Sequence, residues 1–275
     1  MGRNLGRDDK VVCASADRIP GSPQNRLTES RGSVRKVDAG ARGNRDIVDS
    51  VLAASQMTKV DRVPIVLMGD PQVAGVPVRE CGEPLVSADA RFAMSPLKED
   101  VDPARRLVRV GVHERLLDAG QMLPEGLRLC WVEGYRDASL QHRYFEEYRA
   151  VLARDHADLT DDQCALLASR YVSPPAVAPH VSGAAIDLTL CDEQGTQLDL
   201  GTPVNASPEE SGGRCYSDAE VGSEARHYRN VLAAALSGAG LVNYPTEWWH
   251  WSYGDRYWAL LTGADEARYG PVVPS

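Results

Sequence analysis

The chain has 275 residues, a formal net charge of −9 and 43% hydrophobic residues, an ordinary composition for a globular protein. The negative charge argues against general binding to nucleic acid, and the absence of any apolar run of about 18 residues argues against insertion into a membrane. Because the N-terminus lacks an apolar signal core and the six cysteines are scattered without a Cys-x-x-Cys pair, we expect a cytoplasmic protein with free thiols.

Residues 1–45 form a basic segment with ten Lys or Arg, five Asp or Glu and no aromatic residue. Such a segment cannot bury enough apolar surface to offset its ordering entropy, so we predict a disordered N-terminal extension. A basic arm that contacts nucleic acid is the alternative, but the interspersed acidic residues favour a dispensable tail. The remaining residues, 46–275, are predicted to form a single domain.

Two elements are predicted at the start of this domain, a short helix over residues 46–57 and a strand over Val63–Met68. The stretch that follows is rich in proline and glycine, and no chemistry can be assigned to it. An amphipathic helix is then predicted over Leu107–Ala119, because apolar residues recur there at helical spacing. It is expected to end at Gly120 or Pro124.

The run Leu127–Glu133 alternates apolar and polar residues only loosely, as a mostly buried strand does. Gly134-Tyr135-Arg136 follows directly, and strand ends are common positions for functional side chains. The residues alone leave two roles open for Arg136. It could be a surface residue paired with Asp137, or it could belong to a functional site.

Helices are predicted over Ser139–Asp155 and again after Thr160, which has the position of an N-cap with Gln163 as its capping-box partner. His142 and His156 belong to this region. On one straight helix they would lie about 21 Å apart, so they cannot share a metal ion, and we interpret both as solvated.

His180 and Asp187 lie seven residues apart, a separation of roughly 23 Å in a fully extended chain. One metal ion could bind both side chains only if the chain folded back, and Ser182-Gly183 is the obvious place for that turn. Ala184–Leu190 is then predicted to form a short buried strand that places Asp187 in the protein interior. A buried carboxylate needs a partner, and a metal would be one.

After Leu190 the sequence predicts a hairpin turn (Asp192–Gly195), a returning strand (Gln197–Leu200) and a long polar loop (Gly201–Tyr216). A helix (Asp218–Ser237) and two strands (Leu241–Tyr244 and Glu247–Tyr253) are predicted to follow. With the preceding elements, this order predicts an α+β domain with a small central antiparallel sheet flanked by helices.

Glu247-Trp248-Trp249-His250 places a carboxylate and an imidazole three residues apart. In a regular strand they would point to opposite faces, so a bulge or one helical turn is needed to bring both to one site. His180, Asp187 and His250 together offer three ligands and leave a fourth position open, as in catalytic zinc sites. An aromatic strand with polar ends is the alternative, and neither fragment is decisive alone.

A resemblance joins these fragments. His180-x-x-Gly183-x-Ala185-x-Asp187-Leu188 followed by Glu247-Trp248-Trp249-His250 resembles the zinc D-alanyl-D-alanine dipeptidases of the VanX type, which belong to a wider group of zinc peptidases of peptidoglycan peptides. Gly134-Tyr135-Arg136 and Leu200-Gly201-Thr202-Pro203 resemble two further segments of that family, in the same order along the chain.

The resemblance implies a zinc D,D-dipeptidase-like catalytic domain over residues 46–275, with one zinc ion at the edge of the sheet. It implies His180, Asp187 and His250 as ligands. Glu247 would be the general base that takes a proton from water, and Arg136 would stabilise the oxyanion of the tetrahedral intermediate. The implied partner is a small peptide such as D-Ala-D-Ala.

Two positions depart from the family pattern. Ala178 and Pro179 stand where the family has a serine that helps to hold the substrate carboxylate. Asn205 stands where the family has an aspartate for the substrate ammonium group, and an amide offers no compensating charge. These changes leave the metal chemistry intact and bear on specificity.

Three hypotheses therefore follow. The first is a zinc dipeptidase acting on D-Ala-D-Ala or a related D,X-dipeptide. The second is a zinc D,D-carboxypeptidase or endopeptidase acting on longer cell-wall peptides, which Asn205 favours and the missing signal disfavours. The third is a catalytically silent binding module, which the presence of every expected ligand, base and arginine disfavours.

Overall fold

The structure is a computed structural model that describes residues 64–97 and 102–274. Its central sheet has the strand order β2-β4-β5-β7-β6, and the strands span Ala93–Met94 (β2), Arg128–Glu133 (β4), Ala185–Cys191 (β5), His250–Ser252 (β7) and Val242–Asn243 (β6). A second, two-stranded antiparallel sheet pairs β1 (Leu85–Ser87) with β3 (Leu107–Arg109). The predicted extension 1–45 and the predicted helix 46–57 lie outside the described residues.

The central sheet is antiparallel from β4 to β6, as predicted, but β2 runs parallel to β4. The chain between these two strands passes through β3 and a helix. That path allows the parallel pairing, which a short hairpin turn could not produce. The prediction of a purely antiparallel sheet is therefore wrong at this one edge strand.

Seven α-helices accompany the sheets within the described residues, over Pro71–Gly75 (α1), Val110–Gln121 (α2), Ala138–Asp155 (α3), Asp161–Ala168 (α4), Pro208–Ser211 (α5), Ser223–Gly238 (α6) and Arg256–Thr262 (α7). α2 and α6 pack on the sheet, and apolar side chains from both join Trp131 and Leu188 in the main core. α3 and α4 pack on each other around Phe145 and Leu167.

Several local predictions are confirmed. The predicted helix 139–155 is α3, and the Thr160 side chain and Gln163 form a reciprocal capping box at the start of α4. The buried strand at 184–190 is β5. His142 is exposed and His156 is half-buried. None of the five cysteines in the described part of the chain forms a disulfide, and no helix there is long and apolar enough to span a membrane.

Three predicted segments differ from the structure. Residues 64–68 are not a strand, because side chains satisfy their backbone: the Tyr244 hydroxyl accepts from Met68 N at 3.0 Å, and the Tyr257 hydroxyl donates to Val66 O at 3.0 Å. Leu107 begins β3 and the helix starts later, at Val110. Gln197–Leu200 makes one bridge to Cys191 in place of a strand.

Candidate metal centre

A tight turn carries His180 into the core. Pro179–Ser182 forms a 3₁₀ turn that ends at Gly183, whose φ of 68° is left-handed. A Cβ at this position would lie 2.3 Å from the Cδ2 atom of Leu85, so both the backbone angle and the packing require glycine. The turn predicted at Ser182-Gly183 is confirmed.

Three neighbouring strands align Glu133, Asp187 and His250 in one row. Asp187 on β5 is paired with Glu133 on β4 and with His250 on β7. Both β5 and β7 have a strand on each side. Asp187 and His250 therefore lie on interior strands, and the expected position of a zinc site at the sheet edge is not confirmed.

The three predicted ligand residues come together and are all buried. The Nδ1 atom of His250 lies 3.0 Å from Asp187 Oδ1 and 3.2 Å from His180 Nε2, and His180 Nε2 lies 3.4 Å from Asp187 Oδ1. Atoms bound at about 2.0–2.1 Å to a tetrahedral zinc ion lie about 3.3 Å from one another. The triangle of donor atoms therefore has the size that such an ion requires.

The ring of His180 is oriented by the backbone. Its Nδ1 lies 2.6 Å from the carbonyl oxygen of Gly134, which can only accept a hydrogen bond, so Nδ1 carries the proton. Nε2 then presents its lone pair to the cluster. A ligand histidine held by a backbone carbonyl in this way is a recurring feature of protein metal sites.

The pKa shifts of His180 and Asp187 favour the forms in which these side chains bind a metal. Burial lowers the pKa of His180, although the neighbouring charge of Asp187 opposes this effect. Burial also acts to raise the pKa of Asp187, but the neighbouring imidazoles of His180 and His250 hold it well below its usual range. Neutral imidazole and ionised carboxylate are the forms that bind a metal.

One nitrogen of His250 also bears on the fit. Its Nε2 atom is buried and has no hydrogen-bond partner among the described residues, although its Nδ1 atom faces Asp187. A purely hydrogen-bonded arrangement does not suit this buried site, because His180 Nε2, whose ring proton is on Nδ1, directs a lone pair at the Asp187 carboxylate. The residues fit a bound metal ion.

Glu247 and His250 are joined by a hydrogen-bonded turn at Trp248-Trp249, directly before β7, so the backbone between them is not a regular strand. The N–H of Glu247 donates to Tyr244 O at 2.9 Å, and its carbonyl accepts from His250 N at 3.1 Å. The residue is 7% exposed. Among the described residues it is not part of the metal-ligand group. Burial raises the pKa of Tyr171, and the negative charge of Glu247 raises it further.

Arg136 is buried and does not pair with Asp137, so the surface alternative for this residue is wrong. Its Nε and Nη2 atoms each donate to one carboxylate oxygen of Glu133 at 2.7 Å, and Nη1 donates to Gln141 Oε1 at 2.8 Å. Asp137 is instead the N-cap of α3, where it accepts from Ser139 N at 2.8 Å.

Arg136 also belongs electrostatically to the cluster. Its backbone N–H donates to His180 O at 3.2 Å. Burial acts to lower the pKa of Arg136, but the charges of Glu133 and Asp187 raise it, so the guanidinium remains a cation. A fixed positive charge therefore lies close to the three donor atoms.

Glu133 and Gln141, the two residues that hold Arg136, were not predicted as part of the site. A signal was present for one of them. Glu133 ends an apolar strand and lies three residues before Arg136, and a carboxylate in a buried strand needs a partner. Gln141 has no such signal, because its position on the buried face of α3 follows from tertiary packing.

The structure also describes the positions that depart from the family pattern. Asn205 is the one non-glycine residue with positive φ in the described chain, at 65°, and its carbonyl accepts from the Tyr171 hydroxyl at 2.6 Å. Its Nδ2 atom is buried without a hydrogen-bond partner there. Ala178 and Pro179 are both buried at the start of the turn that carries His180.

Comparison with known protein families gives a match over most of the described chain. The family model described as D-ala-D-ala dipeptidase, Peptidase_M15, matches residues 86–263. This range contains all three donor residues of the cluster together with Arg136 and Glu247.

Two curated proteins named D-alanyl-D-alanine dipeptidase are similar to the chain. The one from Synechocystis sp. is 26% identical and aligns with 67% of this chain and 87% of its own length. The one from Escherichia coli is 41% identical over 71 residues, which are 26% of this chain and 35% of that protein. Among solved structures, the LdcB LD-carboxypeptidase is 18% identical with a TM-score of 0.38, over 77% of this chain and 90% of that chain.

Proposed function

Because the chain belongs to the D-Ala-D-Ala dipeptidase family of metallopeptidases, we propose that it hydrolyses D-Ala-D-Ala or a related D,X-dipeptide with one zinc ion per chain. The observation that carries this proposal is the triangle of donor atoms from His180, Asp187 and His250, with edges of 3.0, 3.2 and 3.4 Å. Three protein ligands with a fourth position left open are typical of catalytic zinc.

The donor set also supports zinc over harder cations. Two imidazole nitrogens and one carboxylate oxygen suit zinc, whereas calcium and magnesium prefer oxygen ligands in larger numbers. Bound there, the ion would supply Lewis-acid chemistry and bring the pKa of a coordinated water towards neutrality. His180, Asp187 and His250 would hold the ion, and the Gly134 carbonyl keeps His180 in the tautomer that this requires.

Glu247 and Arg136 are the two proposed catalytic side chains. Glu247 takes a proton from the attacking water and returns it to the amine that leaves when the peptide C–N bond breaks. Arg136 donates hydrogen bonds to the oxygen of the scissile carbonyl as negative charge develops on it. Trp248 and Trp249, which follow Glu247 in the chain, are 3% and 0% exposed and pack in the main core.

A longer substrate is the second candidate, and Asn205 favours it. A free dipeptide carries an ammonium group that a carboxylate would neutralise, whereas an amide provides no charge. The buried Nδ2 atom of Asn205 lacks a partner among the described residues, and an amide N–H donor of this kind is suited to a carbonyl oxygen. A peptide whose N-terminal side is acylated offers such an oxygen.

The experiment measures zinc content and then the hydrolysis of two substrates, D-Ala-D-Ala and N-acetyl-D-Ala-D-Ala, by the purified zinc-loaded protein. We expect about one zinc per chain and a higher kcat/KM for the free dipeptide. A preference for the acetylated substrate would support the second candidate. A zinc-loaded protein that cleaves neither substrate would contradict the proposed function.

A further inference from the structure

We infer that Glu133 is a positioning residue for the hydrolytic step, an inference that rests on the oxyanion role proposed for Arg136. The Glu133 carboxylate accepts two parallel hydrogen bonds from the guanidinium, Nε to Oε1 and Nη2 to Oε2, each 2.7 Å long. A two-point contact fixes the plane of a guanidinium as well as its location. Glu133 therefore determines the direction in which Arg136 presents its other donors.

A second side chain completes this support. Arg136 Nη1 donates to Gln141 Oε1 at 2.8 Å, and the Gln141 amide nitrogen donates in turn to Ser173 O at 2.7 Å, so Gln141 is itself held. A guanidinium has five N–H donors, and the bonds to Glu133 and Gln141 use three of them. The other two belong to Nη1 and Nη2, one on each terminal nitrogen.

The strand backbone directs Glu133 into this position. β4 has a bulge or irregularity between Trp131 and Glu133, after a regular register with β5, and bulges commonly re-aim side chains beside active sites. The same register sets Glu133 opposite Asp187, one of the three donor residues. The pair thus lies at the level of the metal-ligand row.

Burial indicates that this ion pair serves orientation more than stability. The side chain of Glu133 is 3% exposed and that of Arg136 is 9% exposed. Taking two charges out of water costs about as much as their attraction returns, so a buried pair is weak evidence for stabilisation. Arg149 and Glu146 form a pair with the same spacing on α3, but their side chains are 31% and 40% exposed.

That second pair provides a matched control. In excess zinc, Glu133→Gln should lower kcat by about 10–100-fold, the loss typical when a side chain that orients a functional group is removed, with KM changed by less than about threefold. Glu146→Gln, which removes the same kind of hydrogen-bonded charge from a surface pair, should leave kcat unchanged. A folded, zinc-loaded Glu133→Gln protein with wild-type kcat would overturn the inference.

Removing one partner of a buried ion pair is strongly destabilising, so a fall in kcat alone does not distinguish lost positioning from lost folding. A double-mutant comparison separates these two causes. In the Arg136→Met background, adding Glu133→Gln should not lower kcat further, since no guanidinium is left to orient. A further loss equal to that of Glu133→Gln alone would show that Glu133 acts on something other than Arg136.

A third measurement needs no substrate. The Nε–H of Arg136 should give a slowly exchanging proton signal in nitrogen-15 NMR, assigned by its absence in Arg136→Met. In Glu133→Gln this signal should exchange faster, whereas in Glu146→Gln it should not change. If wild-type protein proved inactive on both substrates, the proposed function would fail, and unaltered exchange in Glu133→Gln would separately reject the positioning role.

Discussion

The two histidines of the cluster present different ring nitrogens, and the backbone around each one explains why. His180 has its Nδ1 proton committed to Gly134 O, so Nε2 faces the other donors. His250 lies on β7, and the pairing of β7 with β5 brings its Nδ1 next to Asp187. The site therefore depends on both rings being held in one orientation, so replacement of either should affect metal binding.

The first prediction concerns these ligands. His250→Ala should weaken zinc binding by more than the roughly 10–100-fold typical of outer-shell changes, because two remaining ligands hold zinc poorly. His180→Ala and Asp187→Ala should do the same. Competition with a chromophoric chelator measures the affinities. His142→Ala, on the exposed face of α3, is the control. A fully metallated His250→Ala protein would show that the ligand assignment is wrong.

Glu247 separates an enzyme from a zinc-binding fold. If Glu247 is the base and not a ligand, as proposed, replacement by the isosteric Gln should leave the metal and the fold intact. We expect Glu247→Gln to keep its zinc and to lower kcat by about 10²–10⁴-fold, the usual contribution of general acid–base catalysis. Metal analysis and steady-state kinetics test this. Loss of zinc would make Glu247 a ligand, and retained activity would rule it out as the base.

Arg136 provides a test of shape as well as charge. Arg136→Lys keeps the positive charge but cannot make the two parallel bonds to Glu133 that are seen here. We expect kcat to fall by about 10²–10³-fold, as on loss of an oxyanion donor, with a much smaller change in KM. If the loss appeared mainly in KM, Arg136 would instead contribute to ground-state binding.

At the scale of elements, α2 has an unusual start. Its N-cap, Arg109, provides no side-chain cap, and the cap comes from a distant loop, where Glu83 Oε2 accepts from Gly111 N at 2.9 Å. Tyr269 donates to the same oxygen at 2.6 Å. A carboxylate at a helix N-terminus satisfies an unpaired N–H and interacts favourably with the helix dipole.

This cap makes stability depend on pH. Burial acts to raise the pKa of Glu83, but the hydrogen bonds of Tyr269 and Gly111 and the charge of Arg268 lower it overall. A carboxyl group whose pKa is lower in the folded state stabilises the protein above its ordinary pKa, and this contribution is lost as pH falls through the folded-state pKa.

Glu83→Gln should therefore lower the free energy of unfolding of the metal-free protein near pH 7 by about 1 kcal/mol, the cost typical of a lost cap. The melting temperature should fall accordingly. The difference from wild type should shrink between pH 6 and pH 3. Thermal unfolding at several pH values measures it, with Glu114→Gln, exposed on the same helix, as the control. A difference that grew towards acid pH would contradict the assigned cap.

At the scale of the whole molecule, the N-terminal extension gives one prediction. Residues 1–45 lack aromatic residues and carry a net charge of +5, from ten basic and five acidic side chains. Because such a segment has little apolar surface to bury, its deletion should leave the melting temperature and kcat unchanged. Calorimetry and kinetics on the shortened chain test this. A fall of several degrees would instead indicate that the extension packs on the domain.

The sequence by itself determined the features that arise from neighbouring residues. The Ser182-Gly183 turn, the capping box of Thr160 and Gln163, and the buried strand around Asp187 all follow local rules of backbone conformation and periodicity, and the structure has each of them. The residue pattern offered His180, Asp187 and His250 as possible metal ligands, the motif resemblance supported this choice, and the fold brings their donor atoms within 3.4 Å of one another.

Only the tertiary structure decided the contacts between distant segments. The parallel pairing of β2 with β4 and the side-chain hydrogen bonds that replace a strand at residues 64–68 join parts of the chain that no local pattern connects. The same holds for the choice of Glu133 over the adjacent Asp137 as the partner of Arg136. A charged side chain has several possible partners among its neighbours in the sequence. Burial selects among them, because a desolvated charge is stable only where the fold supplies a partner.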